Sequence, residues 1–152
     1  MGDEAAENLR LMIEFAKRGQ IPQIEGFLDE QVPINGVDHL GCTALHWAAS
    51  GGHAEAIEFL ASRGANVNAV AKDGDTPLHK AAWRNHPQAC SALVAAGADR
   101  KARNAEGKLA SELARDGSCK RVCTPLPEVG ATTNPLLRAM EEAALMDDDE
   151  DD

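Results

Sequence analysis

The sequence contains no tyrosine, and aromatic residues make up only 3% of the chain. So few rings exclude a core built from large aromatic side chains, and the 43% of apolar residues instead suits thin layers of alanine and leucine. No apolar run approaches the ~18 residues that a membrane-spanning helix requires, so we expect no membrane contact. Residues 1–4 are acidic and lack the basic and apolar regions of a secretory signal. We therefore expect a cytoplasmic protein, with the nucleus as the alternative.

Groupings typical of catalysis or metal binding are also lacking. Cys119 and Cys123 are four residues apart and can share one helix face, but a zinc site needs further Cys or His ligands, and none follows at a suitable spacing. Reduced thiols of an intracellular protein are the expectation for all four cysteines. No histidine stands in a recognisable grouping with a nucleophile and an orienting acid, and no glycine-rich phosphate loop is present. The sequence thus predicts no enzymatic activity, no cofactor and no metal.

The chain does contain an internal repeat of 33 residues. Residues 41–49 are echoed by residues 74–82, with threonine, leucine and histidine at the same places. The recurring pairs include Gly41 and Gly74, Thr43 and Thr76, and His46 and His79. A segment of this length cannot close a core by itself, so the copies must stack on one another.

Each copy predicts two short helices. Thr43 and Thr76 are good N-cap residues, and the apolar run that follows Thr43 ends at two glycines. A second helix follows with apolar residues at helical spacing, and Gly64 and Gly97 stand where a positive φ ends it. Small alanines in the first helices let neighbouring helices approach closely.

Residues 43–46 and 76–79 resemble the signature of the ankyrin-repeat family, with Pro77 in the second copy. The resemblance covers roughly residues 5 to 125. It implies an all-α solenoid of about four stacked helix-turn-helix units with β-hairpin loops. It also implies that His46 and His79 hydrogen-bond the backbone between adjacent units, because polar groups at such a half-buried junction need partners.

The predicted domain boundaries follow the repeat. A divergent N-terminal capping repeat over 5–39 is followed by regular repeats over 40–72 and 73–105 and by a degenerate C-terminal capping repeat over 106–128. A linker over 129–134, an amphipathic helix over 135–146 and an acidic tail over 147–152 follow.

The C-terminal quarter differs in composition from the rest. From Pro135 onward it holds eight acidic residues and one arginine, so residues 1–134 account for only −3 of the net charge of −10. The helix predicted over 135–146 is too short to be stable alone, and we expect it to dock on the stack or to fold on a partner. The acidic run over 147–152 predicts a solvated, disordered tail, and its charge opposes direct binding of nucleic acid.

The family resemblance implies binding of another protein through the concave surface formed by hairpin tips and first helices, and we expect a monomer. Function depends on those surface residues and not on the scaffold. Trp83 beside Arg84 has the composition of an interface hot spot, although local packing of Trp83 is the alternative. Transferred from the family by the 33-residue register, the contact positions that the resemblance implies are His39, Leu40, Cys42, Ser50, Lys72, Asp73, Asp75, Trp83, Arg84 and Arg115.

Other roles remain open at this stage. The acidic tail predicts either simple solubility or attraction to a basic protein, with the stack as anchor in the second case. The 135–146 helix, if it covers the concave surface, would be autoinhibitory. By resemblance to ankyrin proteins, Asn68 is a candidate for hydroxylation by an asparaginyl hydroxylase, with Asn35 at the equivalent position.

Overall fold

The computed structural model describes residues 2–126. The predicted linker, the 135–146 helix and the acidic tail lie outside the described residues. Eight helices form within the described part, in four pairs. They are α1 Gly2–Lys17, α2 Ile21–Asp29, α3 Ala44–Ser50, α4 Ala54–Ser62, α5 Pro77–Trp83, α6 Pro87–Ala95, α7 Ala110–Leu113 and α8 Gly117–Cys123.

The helix pairs stack in the order of the sequence. The first helices form one layer, in which α1 packs on α3, α3 on α5 and α5 on α7. The second helices form the other layer, where α4 packs on α6 and α6 on α8. We call these the inner and outer layers. The all-α solenoid expected from the repeat is therefore confirmed. Within residues 2–126 no helix is both long and apolar enough to cross a bilayer.

The regular first helices begin at reciprocal caps. The Thr43 hydroxyl accepts from the His46 backbone N–H, while the His46 side chain accepts from the Thr43 backbone N–H. Thr76 and His79 form the same pair at the start of α5, where Pro77 occupies the first turn. Each cap satisfies donors that a helix start otherwise leaves unpaired.

The two cap histidines also join neighbouring units. Because the Thr43 N–H donates to His46 Nδ1, the neutral ring carries its proton on Nε2, which donates to Asp75 O at 3.0 Å. His79 Nε2 lies 2.9 Å from Lys108 O in the next unit. Both imidazoles are almost completely buried. Each ring therefore holds its own helix start and the next unit at once.

The loops between units are hairpins closed by backbone hydrogen bonds, repeated in register. The closing bonds run from Asp38 N to Cys42 O, from Ala71 N to Asp75 O and from Asn104 N to Lys108 O, at 3.0 Å each. Neighbouring hairpins are joined by Lys72 N to Leu40 O and by Ala105 N to Asp73 O. Among the described residues the expected β-structure amounts to one isolated antiparallel bridge, between Arg103 and Leu109.

The core is a continuous aliphatic layer between the two sets of helices. Its largest fully buried side chains include Met12, Ile24, Leu45, Ile57, Leu60, Leu78 and Leu93. Alanines complete it, and Ala48, Ala49, Ala81 and Ala82 are fully buried in α3 and α5. Small residues at these four places let α3 and α5 pack closely, as the sequence predicts.

Gly74 provides a test of hairpin stacking. Its φ is +79°, and a Cβ added there would collide with the backbone nitrogen of Ala105 in the next hairpin. We expect Gly74→Ala to lower the free energy of unfolding by ~2 kcal/mol or more in urea denaturation, since positive φ and collision both oppose a side chain. Gly107 is the matched control: its φ is +75°, but a Cβ would meet nothing within 4 Å. Gly107→Ala should cost only about 1 kcal/mol. Equal losses in the two variants would contradict this account of stacking.

Buried His46 predicts a dependence of stability on pH. Burial lowers the pKa of His46 below its ordinary value of 6.5, because the imidazolium would lose its hydration. The unfolded chain then binds a proton at a higher pH than the folded chain does. The stabilisation is complete above the unfolded pKa and is lost as the pH falls through the folded one.

We expect the free energy of unfolding to decrease as the pH falls from about 7.5 to about 5.5, with a contribution from His46 of at most about 1.4 kcal/mol, the limit that the unfolded pKa sets. His46→Asn should flatten this dependence, while His39→Asn, on an exposed hairpin, should leave it in place. Parallel pH dependences in the wild type and in His46→Asn would show that His46 is not responsible.

Candidate functional site

The predicted contact residues lie mainly on the inner layer and the hairpin tips, a region we call the inner surface. Apolar side chains are unusually exposed along it: Val37 and Val70 occupy equivalent hairpin positions and are 52% and 64% exposed. Leu40 and Trp83 are also large exposed apolar residues. His39, Lys72, Arg84 and Arg115 are exposed as well, and Ser50 is half-buried at the end of α3. The surface thus combines apolar contacts with basic side chains, a composition that favours protein recognition.

Trp83 is the most prominent side chain of this surface. It ends α5 and is 53% exposed, and the Arg115 guanidinium carbon lies 5.3 Å from its ring centroid. This distance is within the range of a cation–π contact. The structure therefore brings together two predicted contact residues that are 32 positions apart in the sequence. Trp83 does pack locally against Arg115, yet half of its surface remains free for a partner.

Asn85 positions this pair, and it was missed in the analysis of the sequence. Its side-chain oxygen accepts hydrogen bonds from the backbone N–H groups of Arg115 at 2.8 Å and of Asp116 at 3.0 Å. Asn85 has a φ of +58°, whereas Gly19 and Gly52 occupy its equivalent positions with positive φ. Asparagine tolerates this conformation and adds the polar side chain that glycine lacks. The departure from glycine at a repeat position was the available signal.

Two acidic residues of the second hairpin, Asp73 and Asp75, share one lysine within the protein. Lys80 Nζ lies 2.9 Å from Asp73 Oδ2 and 3.4 Å from Asp75 Oδ2. Burial acts to lower the pKa of Lys80, but the two carboxylates outweigh it and the pKa is raised. Burial acts to raise the pKa of Asp73, but the hydrogen bond from Lys80 stabilises the carboxylate. The pKa of Asp73 is therefore lowered. Asp75 also accepts from Asn104 Nδ2 at 2.9 Å. Asp75 therefore serves chiefly the contact between hairpins, while Asp73 remains exposed.

The prediction that Cys42 contacts a partner is wrong. Its exposed fraction is only 1%, because Cys42 ends the hairpin directly before the cap residue Thr43 and its side chain turns inward. Burial raises the pKa of its thiol, which makes Cys42 a poor nucleophile. Being on a hairpin is therefore not sufficient for exposure.

Trp47 differs from Trp83 and anchors the neighbouring hairpin. Its indole N–H donates to Asp38 Oδ2 at 2.8 Å, and Lys17 Nζ lies 4.4 Å from its ring centroid. Burial opposes the ionised form of Asp38, but the hydrogen bonds from Cys42 and Trp47 lower its pKa. Asp38 was missed as a structural residue. Trp47 is half-buried and not simply an apolar core residue.

A pocket of about 390 Å³ lies beside this hairpin, between α1 and the first hairpin. Its lining residues are Ala6, Leu9, Arg10, Ile13, Glu14, Lys17, Val37, Asp38 and His39. The pocket extends from the predicted contact residue His39 to α1, and none of the predicted contact residues lies on α1. The inner surface therefore begins at α1 and extends to Arg115.

The Asn68 side chain connects the loops that follow the second helices α4 and α6. Its side-chain oxygen accepts from Asp99 N at 2.7 Å, and its amide nitrogen donates to Gly97 O at 3.3 Å. Asn35 makes the equivalent contact with Asn66 N at 2.7 Å. Both asparagines therefore hold units together, and hydroxylation of Asn68 stays a prediction.

Three cysteines meet between the outer helices. Cys90 of α6 and Cys119 and Cys123 of α8 are fully buried, and their sulfur atoms all lie within 4.8 Å of one another. We call this group the thiol cluster. A hydrogen bond to Cys123 and burial raise the pKa of Cys90, burial raises the pKa of Cys119, and the hydrogen bond from Cys90 lowers the pKa of Cys123. Among residues 2–126 no fourth His, Cys, Asp or Glu completes the cluster.

The spacing of Cys119 and Cys123 alone does not indicate the third thiol, Cys90. The repeat itself held the signal, since one step of 33 residues from Cys90 leads to Cys123.

Comparisons with known proteins agree with this architecture. A family model of ankyrin repeats in three copies matches residues 11–104, more than half of the chain. Osteoclast-stimulating factor 1 of Danio rerio is 44% identical over 61 residues, which are 40% of this chain and 28% of that protein. The Bos taurus protein of the same name is 47% identical over 47 residues, 31% of this chain and 22% of that protein. The matched region thus spans about a quarter of these relatives.

The stacked pairs, the paired threonine and histidine caps and the family match lead to one conclusion. The chain belongs to the ankyrin-repeat family.

Proposed function

We propose that this protein is a non-enzymatic adaptor or inhibitor that binds a partner protein through its inner surface, with Trp83 as the central contact. The observation that carries the proposal is the exposed Trp83 ring held beside the Arg115 guanidinium. Ankyrin repeats act as protein-interaction modules, so this role is the one expected of the family.

The geometry favours binding with little rearrangement. Asn85 holds the backbone of Arg115, so the Trp83 and Arg115 side chains are already close before a partner arrives. Tryptophan and arginine dominate binding energy when a partner covers them and excludes water. A preorganised pair loses less conformational entropy on binding, which strengthens the contact.

Charge favours a partner with acidic or carbonyl groups opposite this end of the surface. Arg84 and Arg115 are exposed beside Trp83, and Lys72 is exposed on the neighbouring hairpin. The nearby carboxylates of Asp73 and Asp75 are already engaged with Lys80. Arg84 and Arg115 thus offer positive charge next to Trp83, whereas the apolar pocket beside α1 suits an aliphatic side chain of the partner.

The relatives support an interaction role and no more than that. The alignment covers only part of each osteoclast-stimulating factor 1, so the activity of those whole proteins does not transfer to this chain. The tail-driven alternative, in which residues 147–152 attract a basic protein, depends on the acidic composition of the sequence. The two proposals differ in which part of the chain a partner needs.

We predict that Trp83→Ala leaves the melting temperature almost unchanged and weakens partner binding by ~2 kcal/mol or more, roughly a thirtyfold rise in Kd. The ring is half exposed, so its removal creates little cavity, whereas a partner would bury it. The measurement is affinity capture with the intact chain as bait, followed by titration calorimetry on the captured partner with both forms.

Two further variants separate the surface from the tail. Arg84→Ala should also weaken binding, while Arg121→Ala, an exposed arginine on the outer helix α8, should not. A chain truncated after Asn134 lacks the acidic run and should retain the partner. If truncation abolishes binding while Trp83→Ala has no effect, the tail-driven role replaces this proposal. Tighter binding after truncation would instead favour autoinhibition by the predicted 135–146 helix.

A further inference from the structure

The thiol cluster is not explained by the packing of the repeat. The core position in the second helices is Ile24 in the first unit and Ile57 in the second, both fully buried. The equivalent residues of the third and fourth units are Cys90 and Cys123. Two large aliphatic side chains are thus replaced by smaller ones in succession, although loss of core volume usually destabilises a protein.

The third thiol also replaces a histidine that recurs in the repeats of this chain. Cys119 occupies the place of His53 and His86 in the two preceding units. In the second unit this histidine reaches back to the preceding one, with His53 Nε2 lying 2.8 Å from Lys17 O. In the fourth unit Cys119 Sγ instead lies 3.2 Å from Cys90 Sγ. Three changes from the pattern therefore converge on one point.

The arrangement suits a single atom bonded to three sulfurs. Bonds of about 2.3 Å, the length of a metal–thiolate bond, hold three sulfur atoms about 3.5–4 Å apart. The observed limits of 3.2 Å for Cys90 and Cys119 and 4.8 Å for the whole group bracket this spacing. Zinc prefers four ligands. The described residues supply no fourth protein ligand, and the full burial of the three thiols leaves no access for a water molecule as the fourth.

The net charge of the complex distinguishes between the other ions and metalloids that bind thiols. The cluster is fully buried within the hydrophobic core, and three thiolates around a monovalent or divalent ion would leave a net negative charge there. Two charged side chains of opposite sign act on it: Arg100 acts to lower the pKa of Cys123, and Asp116 acts to raise the pKa of Cys119. Burying an uncompensated charge is strongly unfavourable. Trivalent arsenic avoids the cost, because arsenous acid is neutral and so is its product with three thiols.

We propose that Cys90, Cys119 and Cys123 form a three-thiol binding site for a trivalent metalloid, of which arsenite is the representative. In the reaction As(OH)₃ condenses with three S–H groups, so that three As–S bonds form, three As–O bonds break and three water molecules leave. No electron is transferred and no net charge is created. Access requires α8, a helix of only seven residues and the last one within residues 2–126, to open locally from α6. The bound atom then joins α6 to α8.

The test is mass spectrometry under native conditions on the full chain, reduced and then refolded from urea with one equivalent of arsenite. Refolding with the ligand present removes any barrier to access. A three-thiol complex adds one arsenic atom and removes three hydrogen atoms, whereas a two-thiol complex retains an oxygen atom and has a distinct mass. We expect the three-thiol mass, together with a raised melting temperature. The two-thiol mass, or no adduct, would overturn the proposal.

Variants identify the residues. Cys90→Ile restores the residue of the equivalent positions and should weaken arsenite binding at least tenfold, with only the two-thiol mass remaining; Cys90→Ala gives the same comparison if isoleucine does not fit. Cys42→Ala removes the buried cysteine outside the cluster and should bind like the wild type. Arsenite binding that survives Cys90→Ile unchanged would exclude the site. Zinc in place of arsenite should give no adduct; a zinc complex that displaces arsenite would show that charge does not govern the selection.

Discussion

The structure depends on one repeated interaction, the imidazole that connects a helix start to the next unit. His46 accepts from its own cap residue through Nδ1 and donates through Nε2 to Asp75 O, 29 residues later. His79 spans the same distance to Lys108 O. Both nitrogens of a buried neutral ring are thus satisfied, so the ring costs little to bury and fixes the register of two hairpins. Once the hairpins are in register, the exposed residues of adjacent units fall on one surface.

Much of this fold could be predicted because the information is local and repeated. A step of 33 residues identifies the units, and threonine and histidine three residues apart identify the helix starts. The direction of a side chain within a hairpin is harder to predict, because it depends on how the loop closes. Cys42 and Leu40 are two residues apart, yet Cys42 is buried and Leu40 is exposed.

The sequence predicts those parts of the candidate site whose exposure follows from the repeat. It does not predict the parts that depend on contacts between units. Trp83 lies just beyond two buried alanines of α5 and points outward, as its position indicates. The contact of Arg115 with Trp83 and the support from Asn85 could not be derived from either residue alone, since they need the fourth unit in place. Cys90 and Cys123 are related by the period, but only packing of α6 on α8 shows that their sulfur atoms meet.

The contact between the third and fourth units has a consequence for communication across the molecule. Trp83 and Arg115 span this contact on the inner side, and Cys90 with Cys119 and Cys123 span it between the outer helices. Any ligand that prefers one relative rotation of the two units stabilises that rotation for the opposite side as well. By thermodynamic linkage such an effect would be reciprocal: if a ligand on one side changes the affinity on the other, its own affinity changes by the same factor.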